Sequence, residues 1–419
     1  MTTLVLGAGV TGVTTAYYLA KAGHKVTVIE RQPGPALETS FANGGQISAS
    51  HTEPWATPAT LPKIIKWLGR NDAPLRFRLK ADPKLWSWCA RFLMNCPHPR
   101  ALINAERMLR IALYSRDQLS SLKKDTGIQY DQLNKGILHI YRDLSELTAA
   151  NKRVQAMNDL GLERHGLDVD ACVALEPALK AAAGNDLISG GIFTPGDESG
   201  DAHTFTMALA DLCIEMGVEF HFDSPIKQLI AKDGRFKGIE TQANTFEADS
   251  CVVALGSYSP LLLKPLGINL PVYPAKGHSV TLPVTSSKEA PSVSLIQDEL
   301  KLVYSRLGNR LRIAGMAEVA GYNADVDEGR SRLILKSALA LFPNCSAPEL
   351  AEFWSGLRPQ TPDSVPVLGS TKIDNLYLNT GHSTLGWTMA CGSGKVLADL
   401  IISQQPEIDL NGLEISRFS

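Results

Sequence analysis

A glycine-rich turn near the start of the chain constrains the fold more than any other feature. Residues 4–6 form an apolar run without polar alternation, typical of a buried parallel strand, and lead into Gly7, Gly9 and Gly12 in the pattern G-x-G-x-x-G. The first glycine permits a tight turn, the second lets a pyrophosphate approach the backbone, and the third lets helix and strand pack closely. A second apolar run ends at Glu30, at the distance where an acid can bind a ribose hydroxyl. The stretch therefore predicts a strand–turn–helix–strand unit that binds a dinucleotide.

The composition is that of a globular protein and argues against several classes. Of 419 residues, 44% are hydrophobic and 20% charged, and the formal net charge of −2 gives no support for a nucleic-acid partner. Seven scattered cysteines without a C-x-x-C pair favour reduced thiols in the cytoplasm over disulfides or a zinc site, so we predict no metal. No apolar stretch is long enough to span a bilayer, and nothing basic precedes the first apolar run, so no cleaved signal peptide is expected.

Strands that end at glycine turns recur far from the N-terminus. One covers residues 248–256 and ends at Gly256, and residues 375–402 again read as strand, glycine turn and helix, with the helix opening at about Thr388. This interleaving favours flavin over nicotinamide, because a simple NAD domain would complete its sheet with successive βα units. We predict an α/β fold in which a Rossmann-like FAD-binding domain (residues 1–55, 186–262 and 346–419) is interleaved with a β-rich α+β substrate domain (residues 56–185 and 263–345).

Periodicity predicts several further elements. Strands at 302–305 and 311–315 flank a turn at 308–309, which indicates a hairpin. Helices are predicted over residues 104–124, 144–161, 204–217 and 329–342.

Beyond the glycine turn and Glu30, the chain resembles the small subunits of D-amino acid dehydrogenases, within the FAD-dependent D-amino acid oxidase and glycine oxidase group. The matching segments run from end to end, at residues 38–48, 54–56, 273–277, 315–318, 354–363 and 379–394. The resemblance implies the fold of D-amino acid oxidase and noncovalent FAD. It also implies oxidative deamination of a D-amino acid to its 2-oxo acid and ammonia, with hydride passing from the α-carbon to flavin N5 and electrons passing to a quinone or respiratory chain.

The resemblance, together with the glycine turns, also predicts which residues contact FAD. Glu30 and Arg31 would hold the adenosine end, and Ile226 would contact adenine through its backbone. The remaining predicted contacts lie at the glycine turns, the pyrophosphate and the isoalloxazine ring: Gly7, Gly9, Val10, Thr11, Gly12, Ser40, Asn43, Gly44, Gly45, Gln46, Ile47, Gly256, Gly381, His382, Thr384, Leu385, Gly386, Trp387 and Thr388.

An amino acid substrate brings a carboxylate, whose natural partner is an arginine fork. Arg358 precedes the last predicted flavin-binding strand, and Arg306 ends the 302–305 strand, so both are candidates. Arg310 and Arg312 lie beside a hairpin turn and are expected to face solvent. Tyr273 either closes over the carboxylate or is a buried core tyrosine.

We assign no general base, because hydride can leave the α-carbon of a bound neutral amine without one. His51, His278 and His382 are candidates for a substrate contact, although a lone histidine is more often structural. His51 and His278 stand where the resemblance leads us to expect tyrosine. These two positions favour a polar or cyclic amino acid such as D-hydroxyproline. The alternative within the same cofactor class is a dehydrogenase or oxidase of D-hydroxyproline, glycine, sarcosine or another proline-like amine.

The basic, tryptophan-bearing segment at residues 55–91 has two interpretations. It forms either a peripheral contact with the cytoplasmic face of the inner membrane, which suits a quinone acceptor, or a lid over the substrate site. A nucleotide-binding module without turnover is the alternative from another class.

Overall fold

A computed structural model describes residues 1–67, 69–70, 72–78, 81–159 and 161–418. The helices are α1 (Val10–Lys21), α2 (Thr60–Trp67), α3 (Pro83–Asn95), α4 (His98–Thr126), α5 (Leu144–Asn151), α6 (Val154–Asp159), α7 (Val169–Leu175), α8 (Lys180–Gly184), α9 (Ala202–Glu215), α10 (Ser259–Leu263), α11 (Glu328–Leu341) and α12 (Gly386–Ile401). The strands are β1 (Thr2–Leu6), β2 (Lys25–Ile29), β3 (Gln46–Ile47), β4 (Leu75–Phe77), β5 (Ile137–Tyr141), β6 (His165–Leu167), β7 (Gly190–Thr194), β8 (Glu198–Ser199), β9 (Glu219–His221), β10 (Ile226–Lys232), β11 (Arg235–Thr241), β12 (Thr245–Glu247), β13 (Ser250–Val253), β14 (Tyr273–Pro283), β15 (Ser294–Gln297), β16 (Leu302–Leu307), β17 (Arg310–Val319), β18 (Glu352–Gln360), β19 (Val367–Ser370) and β20 (Leu376–Thr380).

A six-stranded sheet joins segments from the start, middle and end of the chain. Its order is β19-β20-β13-β1-β2-β9, and all neighbours are parallel except the antiparallel edge strand β19. Every residue of β13 is buried, as expected where helices cover both faces of a parallel sheet. The chain therefore leaves this sheet after β2, β9 and β13 and returns to it each time, which confirms the predicted interleaved α/β fold.

A nine-stranded mixed sheet forms the second layer. Its main path is β18-β14-β17-β16-β15-β5-β7-β6, with β4 paired to β17. The predicted hairpin is confirmed, because β16 and β17 pair antiparallel across the turn at 308–309. However, β7 and β18 also belong to this sheet, although the predicted domain ranges group their residues with the first sheet. The sequence of a short apolar strand does not indicate which sheet the strand joins. The predicted domain ranges therefore remain a prediction.

The first and last helices pack against each other beside the six-stranded sheet. A side chain at Gly394 would place its Cβ 2.8 Å from the backbone of Thr14, so glycine is required for this close approach. The Thr14 hydroxyl donates to the Ala390 carbonyl (3.0 Å), and the Asn379 amide donates to Thr15 Oγ1 (2.8 Å). These contacts fix the N-termini of α1 and α12 relative to each other, although nearly the whole chain separates them.

The segment at residues 144–161 is not the single continuous helix that its sequence predicts, so this prediction is wrong. It divides into α5 and α6 at residues 152–153, and residue 160 lies outside the described residues. Residues 151–153 are exposed and polar, so no apolar contact holds a continuous helix to the core. Of the described helices, none is both long enough and apolar enough to cross a membrane.

Candidate active site

A cavity of about 940 Å³ is lined from both sheets and brings most of the predicted cofactor residues together. The turns before α1 and α12 both open onto it. The predicted contacts in its wall are Gly7, Gly9, Val10, Thr11, Glu30, Arg31, Ser40, Asn43, Gly44, Gly45, Gln46, Ile226, Gly256, His382, Thr384, Leu385, Gly386, Trp387 and Thr388. Among the described residues, Gly12, Ile47 and Gly381 were also predicted but lie outside this wall.

The first glycine turn has the tight geometry that its sequence pattern requires. Gly7 has φ +103°, and a Cβ there would lie 2.7 Å from the Ala254 carbonyl oxygen. A Cβ on Gly12 would lie 1.9 Å from the Gly7 carbonyl oxygen, so Gly12 acts by packing rather than by contact with a ligand. At the start of α1, the Val10 amide donates to Ser40 Oγ (3.0 Å). The helix N-terminus thus faces the cavity and provides an anion site.

Glu30 holds this turn as well as lining the cavity. Its carboxylate accepts hydrogen bonds from the Ala8 amide (2.8 Å) and the Gln32 amide (2.9 Å), and burial raises its pKa. The next residue, Arg31, stacks on the Tyr258 ring at 3.8 Å and pairs with Glu38. This end of the cavity therefore combines an acid with a flat cationic and aromatic surface, which suits a ribose and an adenine ring.

The segment around Asn43 lies between the two sheets. Asn43 Oδ1 accepts from the Gly45 amide (2.9 Å) in a turn where Gly45 has φ +68°, and a Cβ on Gly44 would lie 2.5 Å from Val303 Cγ2. Arg312 donates to the Asn43 carbonyl (3.3 Å) and to Thr281 Oγ1 (2.7 Å). The prediction that Arg312 faces solvent is wrong, because it is buried beneath this segment, and burial lowers its pKa to about 10.

The turn before α12 forms the opposite part of the wall. The helix begins at Gly386, two residues before the predicted start at Thr388, and Thr388 Oγ1 accepts from the Ser48 amide (3.1 Å). His382 lines the cavity, but its Nε2 is hydrogen-bonded to Ser393 Oγ (2.9 Å) within α12. Burial lowers the pKa of His382 to about 3, so the ring is neutral and serves to hold the turn.

Arg358 is the candidate carboxylate ligand that the fold brings to the cavity. Its Nη1 donates to the Met316 carbonyl (3.0 Å), and its guanidinium crosses Gly277, where a Cβ would lie 2.3 Å from Cζ. No carboxylate among the described residues lies within ion-pair distance of it. Burial lowers its pKa to about 10, so the guanidinium remains charged at neutral pH. A half-buried cation that opens onto a cavity without a protein anion is a site for an anionic ligand.

Two other predicted substrate contacts, Arg306 and Tyr273, bond to protein groups away from the cavity. Arg306 is bonded to the Gly308 carbonyl (2.7 Å) and Ser287 (3.2 Å) at the hairpin, and Tyr273 donates to Asp82 (2.9 Å) beside Trp88. Neither lies in the described cavity wall: the Arg306 side chain folds back on its own turn, and Tyr273 belongs to a core, which is the second of the two roles predicted for it.

His278 and His51 both line the cavity, but their side chains differ in exposure. Both ring nitrogens of His278 are buried without a hydrogen-bond partner among the described residues, and burial together with Arg330 lowers its pKa to about 3. The half-buried His51 instead lies beside three groups that sequence reasoning missed, His139, Asp298 and Lys301. His139 lies on β5, whereas Asp298 and Lys301 lie in the turn between β15 and β16, so no local pattern marks the group.

The arrangement fits FAD. Two helix N-termini open onto one continuous cavity, glycines at Gly9 and Gly44 leave its floor free of side chains, and the acid Glu30 stands at one end. The family model described as FAD dependent oxidoreductase matches residues 2–400. The chain therefore belongs to this family of FAD-dependent oxidoreductases and uses FAD as its cofactor.

Relatives extend over the full length of the chain. It is 55% identical to a D-amino acid dehydrogenase of Paramagnetospirillum magneticum, covering 100% of this chain and 99% of the relative, and 50% identical to one of Dechloromonas aromatica, covering 97% and 98%. Among solved structures, it resembles glycine oxidase from Geobacillus kaustophilus (TM-score 0.76, 22% identity, covering 99% and 98%) and L-proline dehydrogenase from P. horikoshii (TM-score 0.77, 18% identity, covering 99% and 97%). The two structural likenesses support the fold alone.

Proposed function

We propose that this chain is a D-amino acid dehydrogenase that converts a D-amino acid and water to the 2-oxo acid and ammonia, with two electrons passed on. The names of its full-length relatives support this substrate class. The structural observation that carries the proposal is Arg358, a half-buried cation in the wall of the FAD cavity without a carboxylate partner among the described residues. A planar guanidinium matches a carboxylate with two parallel hydrogen bonds.

The residues divide the work of the reaction between them. Residues at the α1 and α12 turns would hold FAD, which when bound supplies the hydride acceptor. Arg358 fixes the substrate carboxylate and thereby orients the α-carbon. Trp354 and Met316 line the same cavity and restrict water around the reacting carbon. No base is assigned, so the substrate amine must lose its proton to solvent before hydride leaves.

Anaerobic spectroscopy tests the proposal. Purified protein should be yellow, and a D-amino acid should bleach it where the L-enantiomer does not. The panel includes glycine, sarcosine and D-hydroxyproline, because Arg358 would bind their carboxylates too. Protein that takes up no FAD, or that no amine bleaches, would end the proposal and favour a nucleotide-binding module.

The acceptor is proposed to be a quinone, reached by peripheral contact with the cytoplasmic face of the inner membrane. The α3–α4 corner exposes large apolar side chains, namely Trp86, Leu93, Met94, Leu102 and Ile103. The exposed basic residues Lys84 and Arg100 lie on the same corner, which suits an anionic lipid surface. By contrast, α2 contributes Thr60, Lys63 and Trp67 to the cavity wall, so the lid interpretation applies to α2.

Vesicle sedimentation separates the membrane from a protein partner. The holoenzyme should bind phosphatidylglycerol vesicles more than phosphatidylcholine vesicles, and Leu93→Gln with Met94→Gln should remove most of that binding. Ile214→Gln with Met216→Gln is the matched control, since both residues are exposed apolar side chains elsewhere. Equal vesicle binding by both double variants, or none by the parent, would contradict the membrane contact.

A further inference from the structure

A chain of polar side chains closes one end of the cavity and is not used by the function proposed above. The Lys301 ammonium donates to Asp298 Oδ1 (2.6 Å), and Asp298 Oδ2 is bonded to His139 Nδ1 (3.0 Å). The His139 ring centroid lies 5.5 Å from that of His51. His51, Asp298 and Lys301 all line the cavity. The arrangement is therefore a built site with a free end at His51.

The hydrogen-bonding roles within this chain follow from its charges. Burial alone would raise the pKa of Asp298, but the hydrogen bond from His139 and the charge of Lys301 hold it well below its usual range. Because Asp298 is ionised, His139 Nδ1 donates to it. His139 Nε2 is then left as a buried acceptor without a partner among the described residues, on the side of the chain that ends at His51. His139 acts through Asp298 and His51 and is a positioning residue.

His51 itself is a neutral group with one donor and one acceptor. Burial and the neighbouring His139 lower its pKa to about 4. A neutral imidazole can donate from one nitrogen and accept at the other, so it can bind a group that does both, such as an amide or a hydroxyl. It offers no fixed charge to an ionic side chain.

The charges around this end also balance. Lys301 is paired with Asp298, and Lys63 lies 3.7 Å from Glu146. The remaining charged groups here, Glu53 and Arg153, have opposite signs. A charged substrate side chain would therefore gain little net attraction and would lose hydration.

Strand order places Arg358 and the His51 group at different parts of the cavity wall. The Arg358 guanidinium is bonded to the Met316 carbonyl on β17, and β16, β15 and β5 follow in order across the sheet. Neighbouring strands are about 4.8 Å apart, so His139 on β5 is roughly 14 Å from Met316. Arg358 lies beside Met316 at one side of this span and His51 beside His139 at the other, and both line the cavity, so we expect a substrate whose carboxylate binds Arg358 to direct its side chain towards His51.

We propose that this end of the cavity is a subsite for neutral substrate side chains that carry an amide or hydroxyl, with His51 as the contact. The inference rests on the proposed function, since it places a D-amino acid on Arg358. A site built to bond a polar group discriminates strongly against an analogue of equal size that lacks it, because the site's own polar groups are then left unpaired.

D-Asparagine and D-leucine provide the matched test, because their side chains have nearly the same shape. Anaerobic bleaching of the holoenzyme gives kcat/KM for each, and the parent enzyme should favour D-asparagine by about tenfold or more. His51→Leu should reduce this ratio about tenfold, mainly through KM for D-asparagine, while His51→Gln should retain part of it. Asp298→Asn, which releases His139, should reduce it to a lesser degree. His221→Leu is the control, since His221 is a half-buried histidine in contact with Phe246 and lies outside the described cavity wall.

The outcomes separate the two proposals. A parent enzyme that favours D-leucine, or a ratio that His51→Leu leaves unchanged, overturns the subsite while leaving D-amino acid oxidation intact. Failure of every D-amino acid to bleach the flavin overturns the proposed function itself. FAD content and thermal melting show whether each variant is folded. The ratio of kcat/KM for D-asparagine to that for D-leucine in the parent enzyme tests the subsite without any variant.

Discussion

The two walls of the cavity are built in different ways. The wall from the six-stranded sheet presents backbone and small residues at two helix starts, with Gly7 and Gly9 before α1 and Gly386 at the start of α12. The wall from the nine-stranded sheet presents long side chains from separate parts of that sheet, such as Arg358 on β18 and Lys301 in the turn before β16. A diphosphate is bound by amides and a helix dipole, whereas an amino acid must be recognised by specific side chains. We therefore expect FAD binding at the first wall to be lost when the backbone is displaced, and substrate binding at the second wall to be lost when a single side chain is removed.

Replacing Gly12 by alanine should have the largest effect, on the first wall. The new Cβ would lie 1.9 Å from the Gly7 carbonyl oxygen, which the turn cannot accommodate without moving. We expect a loss of about 3 kcal/mol or more in the free energy of unfolding and no retained flavin. Flavin absorbance and thermal melting measure both. Gly196→Ala is the control, because no atom lies within 4 Å of the added Cβ, and wild-type flavin content in Gly12→Ala would contradict the packing role.

Replacing Arg358 by alanine should damage the second wall alone. Loss of a charge-assisted bidentate bond costs about 3 kcal/mol, so KM for a D-amino acid should rise about 100-fold while FAD remains bound. Steady-state kinetics with a flavin-content measurement separate the two effects. Arg306→Ala is the matched control at the hairpin and should behave as the parent. If the two variants had equal kinetics, Arg358 would lose the carboxylate role.

Acid sensitivity should reside partly in the nine-stranded sheet, at His278. Burial lowers its folded pKa to about 3, so the unfolded chain takes up a proton near pH 6.5 that the folded chain refuses. The stability from this neutral histidine is present above pH 6.5 and is lost as the pH falls towards 3. We therefore compare the free energy of unfolding in urea at pH 6.5 and at pH 4.5. Over this range it should fall by about 1–2 kcal/mol less in His278→Phe than in the parent. If the free energy of unfolding changed equally with pH in the variant and the parent, His278 would not be desolvated in the folded protein. His165→Phe is the control, because His165 is exposed.

Replacing Ser40 by alanine should have the smallest effect. It removes the hydroxyl that accepts from the Val10 amide at the start of α1, worth about 1 kcal/mol. FAD affinity should change by less than tenfold, because the remaining amides still face the cavity. Titration of the apoprotein with FAD, followed by flavin fluorescence, measures the change. A complete loss of FAD binding would mean that Ser40, and not the backbone, dominates this wall.

The same contrast explains how much could be predicted from the sequence. The first wall was predictable because its parts are contiguous: the glycine turn, Glu30 and the strand before α12 each carry a local pattern. Arg358 could be proposed because it stands beside a predicted strand, but Arg306 stood in an equivalent place and folds back on Gly308. They are distinguished by the pairing of β14 with β18, which sets Arg358 opposite Ala275 with its guanidinium over Gly277.

Burial of polar residues was the main feature that local patterns could not indicate. Arg312 lies three residues after the 308–309 turn and resembles a surface residue, yet the Asn43 segment covers it. His139 and Asp298 are far apart in sequence and meet because β5 pairs with β15. Such contacts depend on strand order, which short apolar runs do not specify.

A crystal structure of the FAD complex with a D-amino acid or its 2-oxo acid bound tests the central claim most directly. We predict the diphosphate at the Val10 end of α1, the isoalloxazine ring at the Gly386 end of α12, and the ligand carboxylate on Arg358. A flavin ring far from α12, or a carboxylate bound elsewhere than on Arg358, would contradict it.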